Sequence, residues 1–482
     1  MYLRVNFDND FEDLILHLRS KYGKEMFDID GIGKQLDMAN FGKQFFSAKL
    51  DATADVSVDA NANVEDTTVV AYENELPKPY MRLNSLYLLW KGCRKHYGTE
   101  FANRIVEGQI IGDFYINDLS NVQKPYCYNF STYDVMTKGL PFVKKINSRP
   151  PEHLSSFCGQ MVHFTSYASN QVMGAVGLAD LLIVMSYYVK KEFEENPMVD
   201  RNYIWRNVKQ ELQSLIYSMN QPFRGGLQSG FYNISIYDEE FLDSLSKDYI
   251  FPDGTNPDKE LVNKLQDLYI DLMNETLRIT TPTFPVTTLC LCVDEDKNIK
   301  DEEFLRHMCE KNVEFGFMNI YAGTTGTLSS CCRLRSDKTN EYIGYTNSFG
   351  GAGTQIGSFG VVTLNLPRIA LKSKNKEDFL NRLKELTETS IRINHAKREI
   401  LQKRIKLGAL PLYDYGFMNL QKQYATTGVN GVNEAIEILG YNILEEEGQK
   451  VCGEILATIN ELNDKADVKY KYAHNLEQTP KH

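Results

Sequence analysis

Two adjacent thiols, Cys331 and Cys332, stand in the segment GTLSSCCRLRSD, and a glycine-rich run, SFGGAGTQIGSFG, follows closely. Behind the glycines comes VVTLNLPRIA. Its alternation places Val361, Thr363 and Asn365 on one face of a strand and Val362, Leu364 and Leu366 on the other. Pro367 ends this run, because proline has no amide proton to give to a ladder. A thiol pair held in a loop between strands points to chemistry on sulfur, set against the plainer reading of buried cysteines as small apolar side chains. The glycines do not form a dinucleotide loop. Gly351, Gly353 and Gly357 are spaced G-x-G-x-x-x-G and lead into a strand, whereas pyrophosphate binding needs a helix N-terminus at that point. They suit tight turns and close approach of backbone to a bound group.

Composition narrows the classes. A chain of 482 residues is long enough for two or three domains or one large α/β unit, and its hydrophobic (42%) and charged (24%) fractions are those of a globular protein. A net charge of −11 argues against nucleic acid as partner, since phosphate binding needs a basic footprint. Small anionic ligands remain open through helix N-termini and a few arginines. No apolar run approaches the ~20 residues of a membrane helix, and the start, MYLRVNFDND, lacks the apolar core of a signal peptide. A cytoplasmic protein is expected. The nine cysteines are irregularly spaced, which disfavours a disulfide scaffold. With no C-x-x-C, H-E-x-x-H or H-x3–5-H spacing, no metal site is expected. Cys290 and Cys292, in a C-L-C run, are read as core.

The elements that must position these groups follow from periodicity. Helices are expected over about 11–22, 81–109, 202–218, 258–278 and 376–407, the last stopped by Gly408, and a buried helix from about Gly174. Ser169, Asn170 and Gln171 precede that helix, either as its N-cap or as ligand donors at its entrance. IIGDFYINDLSNVQKPYCYNF reads as strand–loop–strand and places Cys127 in an aromatic β setting. FYNISIYD and TPTFPVTTLCLCV read as further strands, and Arg224 lies in the turn-rich NQPFRGGLQSG. Alternating strands and long helices from about residue 81 onward indicate an α/β fold with mainly parallel strands. Residues 1–75 are read as an N-terminal extension and 76–482 as the catalytic domain.

The segments SSCCRLRSD, GSFGVVTLNLPRIA, FRGGLQSGFYNISIYD, TPTFPVTTLC, KPYCYNF and VSVDANANV together resemble anaerobic (class III, glycyl-radical) ribonucleoside-triphosphate reductases. The resemblance implies a ten-stranded α/β barrel with a central finger loop, and the CCRL segment would be that loop. It further implies Cys332 as the thiyl radical site and Cys127 as its partner across the barrel, with Cys331 and Arg333 in support. Ser169, Asn170, Gln171, Ser358 and Thr479 would contact the substrate. Ribose reduction starts when a sulfur radical takes the 3′-hydrogen, and loss of the 2′-hydroxyl as water needs a nearby proton donor, for which Cys127 is the candidate.

Three departures from the family pattern shape the expectation. Ser358 stands where formate-using members have asparagine, so a dithiol redoxin is expected as reductant in place of formate. The family's N-terminal ATP cone is not seen, while nucleoside triphosphate effectors would still set specificity at a homodimer interface. The family's cysteine-bound zinc site and R-x-x-G-Y radical loop are not found; Gly344-Tyr345 is no such loop, and the sequence closes on NLEQTPKH at the family's Glu-x-Thr-Pro turn. Two explanations are open, a gene split at this turn or a shortened form of a longer chain; the favoured expectation is a split enzyme, the large subunit of deoxyribonucleotide biosynthesis for DNA replication. Its glycyl radical would come in trans from a separate polypeptide charged by a radical-SAM activase. Two other readings stand beside it. One is a barrel fragment that binds nucleotides without turnover. The other is a pyruvate formate-lyase-like glycyl-radical enzyme, against which Cys127 and the VVTLNLPR strand count.

Overall fold

The computed structural model describes residues 7–23, 69–142, 146–224, 228–247, 249–325, 327–329, 335–337 and 355–478. Its strands are β1 (Phe114–Ile116), β2 (Cys127–Asn129), β3 (Val176–Gly177), β4 (Tyr232–Tyr237), β5 (Val286–Cys292), β6 (Met318–Gly323), β7 (Thr327–Ser329), β8 (Arg335–Asp337), β9 (Ile356–Asn365), β10 (Gln423–Asn430) and β11 (His474–Gln478). One sheet runs β11-β10-β9-β2-β3-β4-β5-β6, with β1 also beside β9. Strands β2 to β6 are mutually parallel, as are β9 to β11, and the two sets meet antiparallel where β2 and β1 flank β9. This is the curled mixed sheet of the expected α/β barrel, with nine sheet strands among the described residues against the ten foreseen. Strands β7 and β8 pair separately as an antiparallel ribbon, Thr327 opposite Asp337 and Ser329 opposite Arg335. Residues 330–334, which include Cys331, Cys332 and Arg333, fall between them and outside the described residues, as does Thr479.

The longest helices are α1 (Lys78–Tyr97), α2 (Leu154–Ser169), α3 (Leu181–Glu195), α4 (Arg201–Met219), α5 (Lys259–Leu277), α6 (Lys376–Lys406) and α7 (Glu446–Tyr470). Helix α6 shows how the sequence sets an element. Asn375 caps it by accepting from the Asp378 amide, Glu377 and Asp378 sit at its positive end, and Lys403, Arg404 and Lys406 at its negative end. Its stripe of Phe379, Leu383, Ile393 and Leu401 is fully buried, and Gly408 follows at φ 66°, a backbone that favours glycine.

Among the described residues the two larger apolar cores join the sheet to its helices. One joins β2 to β6 with α2–α5; the other joins β1, β9 and β10 with α1, α6 and α7. In β9 every residue from Ile356 to Leu364 is buried, as expected for a strand covered on both faces. Cys290 and Cys292 are core, 0% and 2% exposed.

Several expectations are corrected. The helical period over 81–109 is two helices, broken where Gly98 takes φ 86° between Tyr97 and Thr99. Pro367 does more than stop β9: it sits in the first turn of a new helix, Leu366–Leu371, where its missing amide proton costs nothing. The helix Asn9–Tyr22, within the segment read as an extension, buries Phe11 and Leu18 in the second core beside Trp90.

Candidate active site

Cys127 opens β2, and backbone bonds on both edges hold that short strand. The Tyr126 amide donates to Ser358 O at 3.1 Å, the Tyr128 amide to Ala175 O at 3.0 Å and the Phe130 amide to Gly177 O at 2.8 Å. Behind it, the fully buried Asp180 carboxylate accepts from Ser131 Oγ (2.7 Å), the Thr132 amide (2.8 Å) and Tyr249 OH (2.9 Å), tying the end of β2 to the start of α3. Burial pushes the Asp180 pKa up, and these three donors pull it back. The register places Cys127 directly opposite Ser358. Opposed residues of an antiparallel pair share a face, so the sequence candidates Cys127 and Ser358 are neighbours, 3% and 0% exposed.

From Ser358 a polar file crosses the sheet. Ser358 Oγ lies 2.8 Å from Thr426 Oγ1, and Thr426 Oγ1 donates to Asn475 Oδ1 at 2.7 Å. Asn475 in turn hydrogen-bonds Glu477, two residues along β11 and therefore on the same face. A bulge makes the first link. Between β9 and β10 the pairing passes from Tyr424–Ser358 to Ala425–Gly360, leaving Phe359 unmatched and turning Ser358 toward Thr426. Glu477 Oε1 is shielded from solvent and has no hydrogen-bond partner among the described residues. Burial raises its pKa to about 8, so this carboxyl holds its proton at neutral pH. A thiol, two hydroxyls, an amide and a protonated carboxyl thus line one wall, a polar network held away from water.

Glu477 also makes a pH prediction. Its pKa is higher in the folded chain (about 8) than its ordinary 4.5, so the stability it contributes is complete below about 4.5 and is lost as pH rises through about 8. The urea midpoint should fall across that window, and Glu477→Gln should flatten the slope and raise the midpoint at pH 8. Identical slopes in both proteins would refute the assignment.

On the outer side of β9, Lys397 of α6 lies across Gly360. A Cβ on Gly360 would come 2.8 Å from Lys397 Cδ, so only glycine leaves room for it. Lys397 is 1% exposed, and its Nζ has no hydrogen-bond partner among the described residues. Burial lowers its pKa to about 8, while the charges of Asp118 and Cys127 act the other way. A buried, unpaired ammonium costs more than an apolar side chain of equal length. Lys397→Met should therefore raise unfolding free energy by about 1–3 kcal/mol, read from denaturant midpoints; a lower midpoint would show that Lys397 is paired after all.

The other sequence candidates fall on a different element from the one foreseen. Ser169, Asn170 and Gln171 close α2 and do not open a helix; the next helix, α3, begins at Leu181 behind Asp180. Ser169 Oγ donates to Ser166 O, and Asn170 Nδ2 to Ser166 O and Phe223 O, so both side chains are spent on backbone. The segment still borders the site, because the amides of Met173 and Gly174 donate to Pro125 O and Tyr126 O. Lys124, not foreseen, donates to Asn170 O at 2.7 Å, and Arg224 reaches Val172 O at 3.5 Å. Burial lowers the pKa of both, and Arg224 adds its repulsion at Lys124. Two cations in one half-buried corner suit an anion. Thr426 and Asn475 were also missed: nothing along the chain links them to Ser358 except strand register.

Known proteins share this fold. Residues 73–481 match the family model "Anaerobic ribonucleoside-triphosphate reductase". The anaerobic ribonucleotide reductase of Thermotoga maritima, solved in complex with dATP and CTP, superposes with TM-score 0.85 at 33% identity, over 99% of this chain and 77% of that one. The same enzyme with citrate in its active site gives 0.85 at 34% identity, over 100% and 85%. With dATP in its specificity site it gives 0.83 at 33%, over 99% and 78%. A search of curated proteins returns no match.

Proposed function

Since the chain belongs to the anaerobic ribonucleoside-triphosphate reductase family, we propose that it converts ribonucleoside triphosphates to deoxyribonucleoside triphosphates by thiyl-radical chemistry, with Cys332 as the radical-bearing residue and Cys127 as proton donor. A thiyl at Cys332 takes the 3′-hydrogen, forming the S–H bond and a carbon radical on the ribose. Cys127 gives its proton to the 2′-hydroxyl, which leaves as water. Two electrons and two protons, released as the redoxin dithiol becomes a disulfide, then supply the hydrogen at C2′ and restore the Cys127 thiol, and Cys332 returns its hydrogen to C3′. The observation that carries this reading is the register of Cys127 with Ser358, which holds both side chains on one buried face beside the hydrogen-bonded Thr426 and Asn475.

Ribonucleoside triphosphate is the substrate of this reading, and nucleoside triphosphates are also effectors, by analogy with the dATP and CTP complexes of the Thermotoga maritima enzyme. Lys124, Arg224 and the end of α2 are the corner offered to the anionic ligand, with Thr479 beyond β11. We place the glycyl radical outside these 482 residues, which contain no R-x-x-G-Y sequence, with a radical-SAM enzyme as its activase. It supplies the oxidising equivalent that makes the Cys332 thiyl. A redoxin is favoured over formate because Ser358 is committed to Thr426 through a short side chain. A homodimer in the cytoplasm completes the reading.

The test is anaerobic: mix the chain with a pre-activated glycyl-radical polypeptide, CTP and either formate or a reduced redoxin, and assay dCTP. Product with the redoxin is expected. Product with formate alone would overturn the reductant assignment. No product with any partner, while nucleotide still binds, would favour a barrel that binds without turnover.

A further inference from the structure

The outer wall of the molecule carries a cluster that ribonucleotide reduction does not use. His96 stands in the last turn of α1, and His395 and Glu399 stand one turn apart on α6, so both project from one face toward α1. One donor atom from each, two imidazole nitrogens and a carboxylate oxygen, lies within 4.8 Å of the others. We propose that His96, His395 and Glu399 form a binding site for a divalent transition-metal ion of the Zn²⁺ type, clasping α1 to α6.

Four observations support the assignment. The two imidazole rings meet at 72° with centroids 5.4 Å apart. Two imidazoles on one tetrahedral zinc, with Zn–N of about 2.0–2.1 Å, bring their centroids to about 5 Å, so small side-chain rotations suffice. His395 Nδ1 is 3.2 Å from Tyr472 OH, which occupies that nitrogen and leaves Nε2 to ligate. A second hydrogen bond of this kind is how metal-binding histidines are oriented. Two nitrogens and one carboxylate select zinc and its neighbours over calcium or magnesium, which prefer all-oxygen shells. A cavity of about 190 Å³, bordered by His395, Glu399, Gln402 and Tyr470 and also by the cations Arg398 and Lys471, leaves room for water as a fourth ligand.

Competing charges do not block the site. Glu399 Oε1 is bonded to His96 Nε2 at 2.8 Å, the contact an ion would replace. Lys95 reaches Glu399 Oε2 at 3.3 Å, but its side chain is 61% exposed and can withdraw into water. Arg398 borders the same cavity, but its guanidinium is engaged, donating to Leu420 O and Gln421 Oε1 and lying over the Tyr472 ring. The site is independent of the proposed reaction, and its test needs no turnover.

Full-length chain freed of metal and carrying Cys331→Ser and Cys332→Ser, which removes the adjacent thiols as rivals, is titrated with Zn²⁺ alone and then Co²⁺ alone. One equivalent of Zn²⁺ should bind and raise the unfolding temperature. X-ray absorption should show a nitrogen and oxygen shell, and bound Co²⁺ should lack a sulfur charge-transfer band. His395→Gln and Glu399→Gln should each weaken binding at least tenfold. His96→Gln, at the end of α1, is the variant least able to disturb folding and should do the same. Absence of saturable binding, a sulfur shell, or unchanged affinity in His96→Gln would overturn the site.

Discussion

Cys332→Ala is expected to abolish deoxynucleotide formation, by at least about four orders of magnitude or ~5.5 kcal/mol in barrier, while nucleotide affinity stays within about threefold. The reason is chemical and not steric. Only a sulfur at that position can exchange a hydrogen atom with the ribose, and alanine removes the reacting atom without adding bulk or charge. Cys331→Ala should retain most of the activity, because of two adjacent thiols on a loop only one can face the ribose. The pair of measurements, dCTP formation and nucleotide binding under anaerobic conditions, separates a lost reaction from a lost site. Wild-type-like turnover by Cys332→Ala, or an equal loss in Cys331→Ala, would remove the proposed division of labour.

Cys127→Ser should lower kcat by about 10²–10⁴ with little change in KM, the usual size of a missing general acid. A serine hydroxyl fits the same space opposite Ser358 but is a far weaker acid, so the 2′-hydroxyl would depart unassisted. Abstraction of the 3′-hydrogen precedes that step. Exchange of isotope from the 3′ position should therefore continue in Cys127→Ser while dCTP falls. Loss of both together would mean that Cys127 acts earlier than proposed, and unchanged dCTP would mean that the 2′-hydroxyl takes its proton from another group.

Much of the scaffold was legible along the chain. Helix α6 came with its boundaries nearly right because Asn375, the acidic first turn, the basic last turn and Gly408 all signal ends, and its apolar spacing signals a buried face. Strands β4 and β5 were equally plain, being β-branched and aromatic runs between turn residues. The segment from Ser169 to Asp180 was misread because its apolar run continues through a two-residue strand, β3, into α3. Periodicity cannot separate a short buried strand from the start of a buried helix. The pair Cys127 and Ser358 came from resemblance, and each residue's setting, an aromatic strand and a glycine-bordered strand, was visible beforehand.

Within the sequence itself lay the α/β alternation, the thiols, the acidic charge that disfavours nucleic acid, and the family motifs, since composition and local spacing are properties of neighbouring residues. Only the tertiary structure decided which polar groups meet. Thr426, Asn475 and Glu477 join Ser358 through parallel register and one bulge, Lys397 reaches its place because Gly360 lacks a side chain, and His96 meets His395 and Glu399 because α1 packs on α6. A search of spacings for metal ligands found none, since ligands on two separate helices leave no period along the chain. Contacts of that kind are set by how helices and strands dock, which depends on burial of their apolar faces as a whole and on no local signal at the residues that finally touch.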